Sequence, residues 1–164
     1  MKLWEKVTNF NNNNAFGIWV TGPPDSRKWN LTAALKEQLR ARGVDVAVLE
    51  SEALRKTFAP HQSHDEKEPD TFNQQMADVG VLLTQQGVPV IFVATVNRRA
   101  YRERARQQIP HFLEVYVECP TVTGLRTECE PPETPDLVLH CEGESPEAAA
   151  RRVVALLIEK GYIR

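Results

Sequence analysis

The chain lacks most of what would identify it at once. Its 164 residues hold no apolar run longer than a strand, so no transmembrane helix or membrane insertion is expected. The opening Met1-Lys2-Leu3-Trp4-Glu5-Lys6 has no apolar signal-peptide core. Neither sign of charge is in excess: the formal net charge is −2, which gives no electrostatic case for a nucleic-acid partner. The three cysteines, Cys119, Cys129 and Cys141, are odd in number and lack metal-site spacing. They read as reduced thiols of a cytoplasmic protein. His61, His64 and Asp65 fall short of a full ligand set, so no metal is expected. No Ser-His-Asp or Cys-His arrangement emerges. What remains is 41% hydrophobic and 26% charged, ordinary for a soluble domain with a proper core.

Hydrophobic patterning divides this chain into alternating strands and helices. Residues 1–15 are a polar lead-in ending in Asn11-Asn12-Asn13-Asn14. Strands are expected at 16–21, 44–49, 88–94, 112–117 and 136–139. Helices are expected at about 28–42, within 50–57, from near Asp70 or Met76 to Gln86, at 98–107 and at 146–160. Gly43 and Gly87 stand where helices end, and Ser145 with Pro146 stands where the last begins. The alternation predicts an α/β domain over 16–164 with a mostly parallel five-stranded sheet flanked by helices. No internal repeat or second domain is visible.

Glycine is missing where the chain most needs it. Between the first strand and the first helix runs Gly22-Pro23-Pro24-Asp25-Ser26-Arg27-Lys28-Trp29-Asn30. Strand, tight loop and helix is the setting of the phosphate-binding pattern GxxxxGK[ST]. Here Gly22 and Lys28 keep their places, the second Gly is Arg27, and the Ser/Thr is Trp29. Pro23 and Pro24 have no N–H to offer a phosphate, and Asp25 adds negative charge. Arg27 puts a long side chain where backbone should approach the ligand. Trp29 has no hydroxyl for Mg²⁺, and Asn30 offers its oxygen from a different helical angle.

The chain resembles the adenylylsulfate (APS) kinases, which are P-loop kinases. The likeness runs through Trp19-Val20-Thr21-Gly22, Ala33-Ala34-Leu35 and the segment Val46 to Arg55. It continues through Arg99-Ala100-Tyr101-Arg102-Glu103-Arg104-Ala105-Arg106, Phe112 to Pro120, Pro135 to Leu139 and Ser145-Pro146-Glu147. The resemblance implies a three-layer P-loop kinase fold and an enzyme that phosphorylates the ribose 3′-hydroxyl of APS with ATP and Mg²⁺. It carries Lys28, Glu50, Glu52, Arg55, Asn97, Arg99 and Arg102 as family-like. Glu50 or Glu52 would be the base or metal carboxylate if the chain is active. Arg55, Asn97, Arg99 and Arg102 would be the substrate or anion contacts.

The departures fall on the chemistry. The family's Asp-Gly-Asp is Glu50-Ser51-Glu52, its Asp-Arg pair and Asn are Glu68-Pro69 and Phe72, and nearby basic positions are Gln74 and Gln75. The family's long basic lid shrinks to about Thr123 to Thr134, with Glu128, Glu130 and Glu133 in it. With loop, substrate segment and lid all altered, the chain reads first as a degenerate homologue without kinase activity. It would be a scaffold, subunit or regulator with a protein partner or as a homodimer. On that reading no cofactor is expected. An active APS kinase or related nucleotide kinase using ATP and Mg²⁺ is the alternative, and a non-catalytic nucleotide or anion module is a third. Trp29 and Phe72 are expected to fill the vacated cleft or to present an apolar contact.

Overall fold

Six consecutive residues, Phe16 to Thr21, are buried on both faces, as the middle strand of a covered parallel sheet must be. In the computed structural model, residues 15–23, 27–58, 71–94, 98–119 and 130–164 are described. Expectations for the lead-in before Ala15, for Asp25, Ser26, His61, His64, Asp65, Asn97 and Cys129, and for the connector before Glu130 lie outside these residues. The elements are β1 (Phe16–Thr21), α1 (Lys28–Ala41), β2 (Ala47–Glu50), α2 (Ser51–Phe58), α3 (Thr71–Gln85), β3 (Val90–Val93), α4 (Arg99–Gln108), β4 (His111–Glu118), β5 (Leu137–His140) and α5 (Pro146–Glu159).

The five strands run in the order β2-β3-β1-β4-β5, and every pairing is parallel. The architecture is the expected three-layer α/β domain with a parallel five-stranded sheet. Alternation along β1 feeds two cores. Phe16, Ile18 and Val20 face Leu31, Leu35 and Leu39 of α1 and Val153 and Leu157 of α5. Trp19 faces Met76 and Ala77 of α3 and Tyr101 and Ala105 of α4. One sheet thus carries α1 and α5 on one face and α3 and α4 on the other.

Local signals set the helix ends. Gly43 (φ 78°) and Gly87 (φ 84°) take the left-handed conformation that stops α1 and α3. Ser145 Oγ accepts the Ala148 N–H at 3.1 Å, and Pro146 occupies the first turn of α5. Strand ends moved more. Pairing of β2 begins only at Ala47, whose N–H donates to Pro89 O at 2.9 Å, because Val44 is still tied to Leu39 O at the end of α1. β2 therefore runs on to Glu50, which opposes Val93.

One expectation is corrected. Cys119 and Cys141 are not reduced thiols but are joined in a disulfide, with Cα atoms 5.3 Å apart. Parallel register is the cause. Glu118 opposes His140 on β4 and β5, so the next residue of each strand lies beside the other. Their separation of 22 residues hides this adjacency in the sequence.

Gly80 lets α3 approach the sheet closely. A Cβ there would sit 2.1 Å and 2.2 Å from two atoms of the Phe92 ring. Phe92 is fully buried and stacked on Trp19 at 4.8 Å, so it has no room to swing away. Gly80→Ala is expected to cost about 2–3 kcal/mol through overpacking. An unchanged urea midpoint would show that the helix does not sit this close.

Candidate functional site

In an open parallel sheet, ligands bind beyond the carboxyl ends of the strands where strand order reverses. Here the reversal is at β1, whose neighbours β3 and β4 lead to opposite edges. The residues beyond that end are Gly22, Ala94, the Glu50-Ser51-Glu52 turn, Cys119 and Cys141. Tertiary structure therefore gathers the loop and the acidic turn on one edge.

The loop keeps part of the required backbone. Arg27 has φ 61° and ψ 22°, the left-handed conformation that suits glycine, and it stands where the pattern has its second glycine. Its carbonyl accepts from Leu31 N–H at 3.1 Å and opens α1 without a side-chain cap. Lys28 does not project outward. It is 1% exposed, and its ammonium donates to Gly22 O at 3.1 Å and to Ala94 O at 2.8 Å. It thereby ties the ends of β1 and β3 together. Trp29 is half-buried against the α1–α5 core, and Asn30 is exposed. Phe72 is buried, so both aromatic substitutions turn inward.

The acidic turn is also internally engaged. Glu50 ends β2 half-buried, and Ser51 is fully buried. Glu52 accepts from Arg55 at 2.8 Å and 3.3 Å, and Arg55 is itself nearly buried. Two buried polar groups, Thr21 Oγ1 and the Asn73 amide, have no hydrogen-bond partner among the described residues. Such atoms are costly unless water or a ligand group meets them.

The arginines of α4 meet carboxylates of the chain. Arg99 donates its backbone N–H to Glu130 at 3.0 Å, and its guanidinium to Pro131 O and Glu133, both at 3.1 Å. Arg102 is almost fully buried; it donates to Glu130 O at 2.6 Å and lies 3.7 Å from Glu114. Arg104 pairs with Asp78 at 2.9 Å. Arg106 pairs with Glu114 at 3.1 Å and Asp136 at 3.5 Å, and lies 5.1 Å over the Phe112 ring. Burial pulls the Arg106 pKa down, but Glu114 and Asp136 more than offset it, and the net direction is up. Arg99, Arg102 and Arg106 line a cleft of about 480 Å³ together with Glu103, Glu114 and Glu133, so positive and negative groups balance there.

The comparisons agree with this fold. The profile described as adenylylsulphate kinase matches residues 14–123. The chain belongs to the adenylylsulphate kinase family. The probable adenylyl-sulfate kinase of Archaeoglobus fulgidus is 30% identical over 147 residues, covering 76% of this chain and 95% of that protein. That of Pyrococcus abyssi is 28% identical over 170 residues, covering 90% and 98%. The chain spans only 29% of the probable bifunctional SAT/APS kinase 2 of Sorangium cellulosum, at 28% identity. Among solved structures, the Mycobacterium tuberculosis APS kinase CysC in complex with AMPPNP and APS superimposes with a TM-score of 0.75 at 21% identity, over 88% of this chain and 98% of that one. The hexameric APS kinase of Thiobacillus denitrificans gives 0.73 at 24%, over 92% of this chain and 30% of that one.

Within this family's chemistry, the described residues do not fit a Mg-nucleotide held in the usual way. Position 29 offers an indole instead of a hydroxyl, and the Lys28 ammonium already serves two carbonyls. Among the described residues, no group of three or more His, Cys, Asp or Glu is placed to hold a metal ion. No helix there is long and apolar enough to cross a membrane. Sequence reasoning missed Ala94 as an acceptor for Lys28, and it missed Asp78, Glu114, Glu130, Glu133 and Asp136 as partners of the α4 arginines. The usable signal was charge complementarity between the arginine-rich helix and the acidic connector.

The left-handed backbone at Arg27 costs a non-glycine residue about 1 kcal/mol. Arg27→Gly is expected to recover most of that, raising the urea midpoint if position 27 keeps its conformation. A fall in the midpoint would mean that the Arg27 side chain holds contacts worth more than the strain.

Proposed function

We propose that the chain is a member of the APS kinase family that does not phosphorylate APS, and that its domain serves as a subunit or scaffold for copies of itself or another protein. The observation that carries this reading is the Lys28 ammonium. It is buried and committed to Gly22 O and Ala94 O, in the position where the family pattern aims a cation at phosphate. Pro23, without an N–H, and Trp29, without a hydroxyl, point the same way. Phosphoryl transfer depends on placement and electrostatics, and a displacement of about 1 Å costs roughly 10²-fold. Arg55, Arg99 and Arg102 meet internal carboxylates or carbonyls, so an anionic substrate would have to displace them. Phe58 and Leu82, exposed on α2 and α3, are apolar side chains that such an assembly would cover. Residence in the cytoplasm belongs to this reading on family grounds and not on the cysteines.

An active kinase is the second reading. It is favoured by the left-handed turn at Arg27, which keeps the loop's final step, and by Glu50 at the end of β2. In that case Glu50 or Glu52 would serve as base or metal carboxylate.

Titration calorimetry with MgATP and MgADP, with Lys28→Ala alongside, separates the two. The proposed reading expects binding no tighter than about 1 mM, little affected by the substitution, and no ATP-dependent phosphorylation of APS. Micromolar, Lys28-dependent binding with measurable turnover would establish the kinase instead.

A further inference from the structure

We propose that the Cys119–Cys141 pair is a redox clasp on the carboxyl edge of the sheet: as a disulfide it holds the carboxyl ends of β4 and β5 against the start of α1, and as two thiols it releases them. This goes beyond the proposed function and does not depend on it.

Three placements carry the inference. Each cysteine is the first residue past its strand at the edge where Gly22 and the Glu50-Ser51-Glu52 turn lie. Cys141, His140 and Glu144 line the same narrow depression as Arg27 and Leu31, so a shift of the Cys141 turn is felt by the first turn of α1. The bond also closes the base of the segment that carries Glu130 and Glu133 onto Arg99 and Arg102.

The cysteines are 8% and 7% exposed, so a reductant reaches sulfur only when this edge opens. Opening there is local, because β5 has four residues and lies at the sheet edge, with the Glu118–His140 pair as its last rung. The reductant is a dithiol. Its thiolate attacks one sulfur and forms a mixed disulfide, and its second thiolate displaces the protein sulfur. Two electrons and two protons end on Cys119 and Cys141, and the dithiol leaves as a cyclic disulfide.

The test uses the full chain carrying Cys129→Ser, which removes the third thiol. The protein is equilibrated in oxidised glutathione buffer or in dithiothreitol. Alkylation with mass spectrometry reads the cross-link, and amide hydrogen exchange reads residues 28–31 and 138–141. The expected result is one Cys119–Cys141 cross-link in oxidised buffer and exchange roughly tenfold faster at both segments after reduction. Adding Cys119→Ser and Cys141→Ser should give the fast exchange in either buffer. Equal exchange in the two redox states, or no cross-link in the oxidised protein, would overturn the proposal. Because dithiothreitol acts on folded protein, a serine variant that fails to fold leaves the comparison intact.

Discussion

The carboxyl edge of the sheet depends on one buried cation. The Lys28 ammonium lies between Gly22 O and Ala94 O, at the ends of neighbouring parallel strands. A buried charge without partners is prohibitive, so these acceptors must stay in place as long as Lys28 remains inside. The first turn of α1, the exit from β1 and the exit from β3 are thereby held in a single arrangement. Hydrogen bonds to charged groups are worth about 1.5–3 kcal/mol each, more than neutral ones. Turning Lys28 outward would give up both of these bonds and expose the two carbonyls at the strand ends.

A second constraint is the arginine and carboxylate lattice between α4, β4 and the segment before β5. Its members differ in weight. Arg102 and Glu114 are largely buried, and each is held by more than their mutual contact, Glu114 by Arg106 and Arg102 by the Glu130 carbonyl. Arg104 with Asp78 is solvent-exposed, and pairs of that kind contribute about 0–1 kcal/mol. The lattice orients Asp136 as well: Glu114 N–H donates to its carboxylate at 2.7 Å, and its own N–H returns to Glu114 O at 2.9 Å. The charged helix is thus part of the protein's interior architecture along one face, which composition alone would not reveal.

Much of the fold was legible because its signals are local. Gly43, Gly87 and Ser145-Pro146 act within a turn of where they stand, and the continuous apolar run of β1 announces burial on both faces. The strand ends were less legible, since pairing partners decide them: β2 starts where Pro89 O becomes available and not where apolar residues begin. For the site, the altered loop and acidic turn could be found by pattern. The orientation of Lys28 could not, because the same Lys at the same spacing serves a ligand or a carbonyl with equal ease.

By itself, the sequence determined the alternating α/β layout, the family and the positions at which the phosphate-loop pattern is broken, since these follow from residue order and short-range periodicity. Only tertiary structure decided that Lys28 turns inward, that the α4 arginines meet Glu114, Glu130, Glu133 and Asp136, and that Cys119 and Cys141 join. The decisive contacts among these, Lys28 with Ala94, Arg99 with Glu130 and Cys119 with Cys141, join segments well apart in the chain, brought together by strand order and register.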